Sequence, residues 1–111
     1  MPHHKFNACI GACNACIADC NYCAASCLRE PDVKMMARCI VLDMDCAAIC
    51  ALAVAAMSRD SEHASAICKL CASICQSCGD ECAKHQMEHC RACAKACHDC
   101  AEACRAMAAT A

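Results

Sequence analysis

Large aromatic side chains are nearly absent from this sequence. The 111 residues include one Phe, one Tyr and no Trp, and Gly and Pro number only two each. Because Gly and Pro are the main helix breakers and alternating β-branched runs are missing, we expect helices and no strands. The lack of aromatic residues also removes the stacking surface that single-stranded nucleic acids need. With a net charge of -2 and no basic stripe, the chain is not expected to bind nucleic acid.

A long hydrophobic segment and an apolar leader are also missing. The longest apolar run, near residues 47–57, is too short to span a bilayer, so no membrane association is expected. The stretch from Met1 to Asn7 has no apolar core of the kind that directs export. We therefore expect a cytoplasmic protein with a single domain of residues 1–111. In a reducing cytoplasm its cysteines would remain thiols or become metal thiolates.

Cysteine, in contrast, is abundant and regularly spaced. All 19 cysteines fall into four runs, in which neighbours are three, four or, once, seven residues apart. This spacing is typical of the a and d positions of a helical heptad. The runs are Cys9, Cys13, Cys16, Cys20, Cys23 and Cys27; Cys39, Cys46 and Cys50; Cys68, Cys71, Cys75, Cys78 and Cys82; and Cys90, Cys93, Cys97, Cys100 and Cys104.

The four runs predict four helices with short turns between them. We place the helices at about residues 3–28, 33–58, 62–85 and 88–107. Long helices joined by short turns are typical of an all-α, antiparallel up-down-up-down four-helix bundle. The thiol stripes would then face a shared axis and form a cysteine-lined core.

The turns are assigned from local residue types. Pro31 cannot continue the first helix, and Asp32 is expected to cap the second. Asp60 or Ser61 is expected to cap the third helix. The last turn contains no Gly or Pro, and we place it within residues 85–89 because the cysteine rhythm breaks there.

Rows of buried thiols are suited to soft metal ions. A four-cysteine zinc site carries two negative charges, and burying several such sites would be costly. Cu(I), at about one ion per thiolate, would leave the core close to neutral. The Cys-x-x-x-Cys unit also recurs eight times, and this spacing brings two sulfurs near the separation that a two-coordinate ion needs. We therefore predict that the core binds multiple Cu(I) ions through all 19 cysteines.

Three further residues are predicted to ligate metal. Extending the heptad of the second helix places Asp43 among the thiols. His85 and His89 lie in the last turn, which an antiparallel bundle places beside Cys27, Cys39, Cys82 and Cys90. The opposite end carries apolar Phe6 and Met57, so we expect Cu(I) to enter beside His85 and His89. The other histidines are expected to be solvated: His3, His4, His63 and His98.

Other interpretations of the thiols remain open. A zinc or mixed-metal thiolate buffer would use the same ligands in fewer sites. A thiol oxidoreductase normally activates one cysteine at a helix N-terminus, whereas the Cys-x-x-Cys pairs here lie within helices, so no enzyme is expected. Iron–sulfur ligation and a disulfide-stapled scaffold are further alternatives, although residues i and i+4 of a helix are too far apart for a disulfide.

Two segments resemble the cytosolic copper storage protein family of bacteria. They are residues 39–53, CIVLDMDCAAICALA, and residues 90–104, CRACAKACHDCAEAC. The six-cysteine first helix is similar too, so the resemblance covers nearly the whole chain. It implies a bundle that stores many Cu(I) ions as a reserve, protects the cytosol from free copper and assembles into homotetramers. Exported members carry a twin-arginine signal that is not seen here, and a copper chaperone is a candidate partner.

Overall fold

The described part of the chain forms four α-helices, and each corresponds to one cysteine run. The computed structural model describes residues 5–110. The helices are α1 (Asn7–Leu28), α2 (Ala37–Ser58), α3 (Ala64–Cys82) and α4 (Glu88–Thr110). A 3₁₀ helix, Val33–Met36, leads into α2. Within residues 5–110 there is no strand, as the sequence predicts.

The helices pack in an antiparallel bundle. Each helix packs against the next one in the chain, and α4 also packs against α1. The sulfur of Cys9, near the start of α1, lies 3.5 Å from that of Cys104, near the end of α4. Likewise, Cys39 at the start of α2 lies 3.3 Å from Cys82 at the end of α3. The predicted antiparallel four-helix bundle is therefore confirmed, as a rod of 48 × 18 × 18 Å.

Cysteine side chains make up most of the core along the axis of this rod. Of the 19 cysteines, 18 have no exposed surface and Cys9 is 3% exposed. Cysteine fills the a and d positions where leucine would ordinarily lie, so the periodic pattern alone locates the core. At one end the core is completed by Phe6 and Met57, and at the other by Met36, all of them buried.

The first two helices begin later than predicted. Lys5 and Phe6 lie in a 3₁₀ turn, α1 begins at Asn7, and the predicted start at residue 3 lies outside the described residues. The first turn of the second helix is a 3₁₀ helix, a tightened form common at helix N-termini. Asp32 precedes it but makes no side-chain capping bond, so the predicted cap is wrong. The backbone carbonyl of Asp32 instead accepts a hydrogen bond from the Met35 N–H at 3.2 Å.

The turn between α2 and α3 is a Schellman motif. Asp60 has a left-handed backbone with φ 53°, and its N–H donates to the Met57 carbonyl at 3.1 Å. The N–H of Ser61 donates to the Ala56 carbonyl at 2.9 Å. Asp60 therefore ends α2 rather than capping α3. The Ser61 hydroxyl accepts the His63 N–H at 3.0 Å, and α3 begins at Ala64, two residues later than predicted.

The last turn is close to its predicted place. Helix α3 ends at Cys82, three residues earlier than predicted, and residues 83–87 form the turn. Helix α4 begins at Glu88 as predicted, so His89 lies in α4 rather than in the turn. At its other end α4 continues to Thr110, three residues beyond the prediction. Burial of Met107 and Ala108 against the bundle favours this extra turn. The Thr110 hydroxyl also donates to the Ala106 carbonyl at 3.3 Å.

A close approach between α3 and α4 explains the glycine within α3. A Cβ atom on Gly79 would lie 2.5 Å from Cδ2 of His98. The His98 ring rests on this glycine with Nε2 2.9 Å from Oδ1 of Asp80. His98 is thus half-buried rather than freely solvated as predicted, while His63 is exposed. His3 and His4 lie outside the described residues.

The second helical segment is more apolar than the run counted in the sequence. Val33–Ser58 is long and apolar enough to cross a membrane by length and composition, with a mean hydropathy of 2.1. A core helix meets the same criterion, and this segment buries Asp43 within the bundle. Its outward side is nevertheless apolar, because Val41, Met44 and Leu52 are exposed. We call these three residues the α2 outer face.

Candidate metal centre

The sulfur atoms of neighbouring helices lie as close together as those within a helix. Cys46 and Cys75 bring their sulfurs to 3.3 Å across the α2–α3 interface. Within α1, the sulfurs of Cys16 and Cys20 are 3.8 Å apart. A disulfide bond is about 2.05 Å long, and all 19 cysteines are free thiols. The core is therefore a continuous network of unbonded sulfur.

Groups of four thiols recur along this network. In each group all four sulfurs lie within 4.8 Å of one another. Each of the five groups named below draws on three different helices, and the second, third and fourth of them share members. Five of them are Cys13, Cys71, Cys100 and Cys104; Cys16, Cys46, Cys50 and Cys75; Cys16, Cys20, Cys46 and Cys97; Cys20, Cys78, Cys93 and Cys97; and Cys23, Cys27, Cys39 and Cys90.

Of the eight predicted pairs along single helices, five have their sulfurs in contact. These distances are 3.8–4.0 Å, in Cys16/Cys20, Cys23/Cys27, Cys71/Cys75, Cys93/Cys97 and Cys100/Cys104. In the other three pairs, closer partners lie on neighbouring helices: Cys9 contacts Cys104, Cys46 contacts Cys75, and Cys78 contacts Asp43. Spacing along one helix cannot predict these partners, because they depend on how the next helix is rotated.

Asp43 lies in the thiol core, at the seam position predicted for it. Its side chain has no exposed surface. Oδ1 accepts hydrogen bonds from Cys78 at 3.2 Å and from Cys93 at 3.3 Å. Burial, followed by the charges of Cys93 and Cys78, raises the pKa of Asp43 to about 10. At neutral pH this side chain is therefore a neutral carboxylic acid among thiols.

His89 faces three thiols with one ring nitrogen and a carboxylate with the other. Nδ1 lies 3.5 Å from the sulfur of Cys90, 3.6 Å from that of Cys23 and 3.9 Å from that of Cys27. Nε2 lies 3.2 Å from Oε1 of Glu30. The side chain is only 13% exposed. His89 therefore lies where the thiol network meets the surface.

His85 also bonds to a carboxylate. Its Nε2 lies 3.0 Å from Oε2 of Glu81, and Arg38 donates to the same carboxylate at 2.7 Å. Burial opposes ionisation of Glu81, but Arg38, His85 and Lys84 together lower its pKa. Among the described contacts, His85 makes a hydrogen bond to Glu81 and none to a thiol.

The two ends of the bundle differ in shape and chemistry. The end that carries His85 and His89, here called the histidine end, has a depression of about 400 Å³. At the opposite end Phe6 covers the core, and a groove of about 280 Å³ between α1 and α4 reaches Cys9. The sequence did not indicate this groove. The depression at the histidine end is lined by Glu30, Pro31, Asp32, Met35, Met36, Lys84, His85, Gln86 and Met87.

The thiols at the histidine end differ in how readily they ionise. Burial, followed by the charge of Cys39, raises the pKa of Cys90 to about 11, and burial likewise raises the pKa of Cys27. Hydrogen bonds from Cys23 and Cys82 instead lower the pKa of Cys39 to about 3. The hydrogen bonds to Cys39 therefore favour its thiolate form, whereas burial favours the protonated form of Cys27 and Cys90.

Comparison with known proteins identifies the family of this chain. The family model described as copper storage protein matches residues 2–109. An uncharacterized cysteine-rich protein of Bacillus subtilis is 56% identical over 78 residues, which are 70% of this chain and 72% of the relative. Among solved structures, the Cu(I)-bound copper storage protein BsCsp3 has a TM-score of 0.91 and 54% identity, covering 94% of this chain and 98% of that one. A cytosolic copper storage protein from Streptomyces lividans, solved with five coppers, has a TM-score of 0.93 and 40% identity, covering 97% and 95%. The chain therefore belongs to the copper storage protein family.

Proposed function

We propose that this protein binds and stores Cu(I) at high capacity, holding a copper reserve and protecting the cytosol from free copper. The observation that carries the proposal is the continuous network of 19 buried thiols contributed by all four helices. The ligands are these 19 cysteines, with Asp43, His85 and His89 as additional ligands toward the histidine end. Relatives solved with Cu(I) or with five coppers support the same assignment.

Charge balance favours Cu(I) over divalent ions in such a core. A protonated thiol that loses its proton to solvent and binds Cu(I) leaves the total charge of the site unchanged. Zinc held by four thiolates instead leaves two negative charges at each site, and buried charges without partners are costly. The core can therefore fill with monovalent ions without accumulating charge.

The geometry also suits low-coordinate copper. If Cu–S bonds resemble the Zn–S bond of about 2.3 Å, a linear S–Cu–S unit spans about 4.6 Å. The sulfurs of Cys46 and Cys75 are 3.3 Å apart, so side-chain rotations that separate them by about 1.3 Å would admit the ion. Because Cys16, Cys20, Cys46 and Cys97 each belong to two of the named thiol groups, one such sulfur can bridge two ions.

Zinc buffering is the second candidate function. Four sulfurs that lie within 4.8 Å of one another also fit a tetrahedral ion, whose ligands are held at about 2.3 Å. An oxidoreductase is less well supported, because its activated thiol would have to be accessible, whereas the thiols here are buried. We therefore assign no enzymatic activity.

The protein would act in the cytoplasm as a single domain of residues 1–111, with no membrane or nucleic acid as partner. The α2 outer face leaves Val41, Met44 and Leu52 exposed, which supports association of copies into a homotetramer. A copper chaperone would deliver the metal to the histidine end.

Metal competition separates these candidates. Reduced apo-protein is titrated with Cu(I) against a chelator of known affinity, and in parallel with zinc. Storage of Cu(I) predicts that copper displaces bound zinc completely and binds at close to one ion per thiol. Retention of zinc in the presence of chelated Cu(I) would favour a zinc buffer instead.

A further inference from the structure

Glu30 and His89 are joined across the histidine end although they are 59 residues apart. Glu30 lies just after α1, where its N–H donates to the Cys27 carbonyl at 3.1 Å. His89 is the second residue of α4. The backbone at both positions is therefore held by helix ends, and the bond between the two side chains spans the edge of the thiol core.

This bond determines which nitrogen of His89 is available to metal. A carboxylate only accepts hydrogen bonds, so Glu30 selects the tautomer of His89 that carries its proton on Nε2. Nδ1 then keeps its lone pair. That lone pair faces the sulfurs of Cys90, Cys23 and Cys27 at 3.5–3.9 Å.

His85 provides a contrast within the same end of the bundle. Its Nε2 also bonds to a carboxylate, that of Glu81. That carboxylate is shared with Arg38 at 2.7 Å and with Lys84 at 3.5 Å. Among the described contacts His85 reaches no thiol. Of these two histidine–carboxylate bonds, it is therefore the bond from Glu30 that orients a ring nitrogen toward sulfur.

We infer that Glu30 is a positioning residue for copper uptake, and this inference rests on the proposed storage of Cu(I). By holding Nε2–H of His89, Glu30 keeps Nδ1 directed at the triangle of Cys23, Cys27 and Cys90. An arriving Cu(I) ion meets an unprotonated nitrogen beside three sulfurs, and each thiol that binds it releases its proton to solvent. Carboxylates that orient a ligating histidine in this way typically strengthen metal binding by about 10–100-fold.

The test compares Glu30→Ala with Glu30→Gln, which retains an oxygen able to accept the bond from Nε2. Asp32→Ala is the matched control, because it removes the same charge from the same depression. The first measurement is the ¹⁵N chemical shifts of the histidine rings in reduced, copper-free protein. We expect the wild type, Glu30→Gln and Asp32→Ala to show a protonated Nε2 and an unprotonated Nδ1 at His89. We expect Glu30→Ala to show a mixture of tautomers.

The second measurement is the rate at which Cu(I) is transferred from a chelator to each protein. We expect Glu30→Ala to load about tenfold more slowly or worse, while Glu30→Gln and Asp32→Ala load within about twofold of the wild type. Wild-type ring shifts and loading in Glu30→Ala would overturn the inference, and so would equal slowing in Asp32→Ala. If the wild type took up no Cu(I), the proposed function would fail, whereas the shifts of the copper-free protein would still test the role of Glu30.

Discussion

At the scale of single residues, Asp43 is the clearest departure from an all-thiol core. It is fully buried, and its pKa is raised from 3.8 to about 10 by burial and by nearby sulfur. The unfolded chain releases this proton above about pH 4, whereas the folded apo-protein retains it. The stability that Asp43 contributes is therefore fully present below pH 4 and is lost as pH rises toward 10.

Replacing Asp43 by Asn should remove this part of the pH dependence. Since one proton is involved, the free energy of unfolding of the wild type should fall relative to Asp43→Asn by up to about 1.4 kcal/mol per pH unit. Urea unfolding of both reduced apo-proteins between pH 5 and pH 7 measures the difference. Parallel pH profiles would show that Asp43 is already ionised in the fold.

The two histidines at the histidine end should control the rate of copper uptake. We expect His85→Ala/His89→Ala to load Cu(I) from a chelator more slowly than the wild type, by about tenfold or more. His63→Ala is the control, because His63 is exposed on the turn before α3. An unchanged uptake rate would contradict uptake at this end, and an altered final stoichiometry would identify the histidines as ligands.

At the scale of helices, the sequence predicts the core well and the helix ends less well. The number of helices and the residues of the seam follow from the cysteine rhythm, because each a or d position faces the axis. The caps depend on backbone detail instead: Asp60 adopts a left-handed conformation that is normally left to glycine. The sequence could not predict the partner of His89 either, because Glu30 contacts His89 only through tertiary packing.

Two glycines in helices allow the packing of α3 on α4 to be tested. Gly11 has no atom within 4 Å of an added Cβ, so Gly11→Ala should stabilise the protein by about 1 kcal/mol through helix propensity. Gly79→Ala should lose that gain, because its Cβ would displace the His98 ring from Asp80. Thermal unfolding compares the two variants, and Gly79→Ala/His98→Ala should recover the gain. Equal stabilisation by both single variants would refute the close approach.

At the scale of the whole molecule, the apolar outer face of α2 should control assembly. If copies assemble through this face into the proposed homotetramer, Val41→Glu/Leu52→Glu should shift the protein to smaller species, because each carboxylate would be buried at the contact. Ser77→Glu, on the exposed side of α3, is the control. Light scattering coupled to size-exclusion chromatography gives the mass of each species. An unchanged mass for the α2 variant would show that its outer face is not the interface.

The thiol network as a whole sets the number of Cu(I) ions that one chain can bind. If the core exchanges protons for Cu(I) without a change of charge, then its capacity should follow the number of thiols rather than the number of four-cysteine groups. Native mass spectrometry of reduced protein loaded to saturation counts the ions on each chain. We predict close to one Cu(I) per thiol, near 19 ions per chain. Saturation at about four or five ions, the capacity of separate four-cysteine sites, would contradict the account.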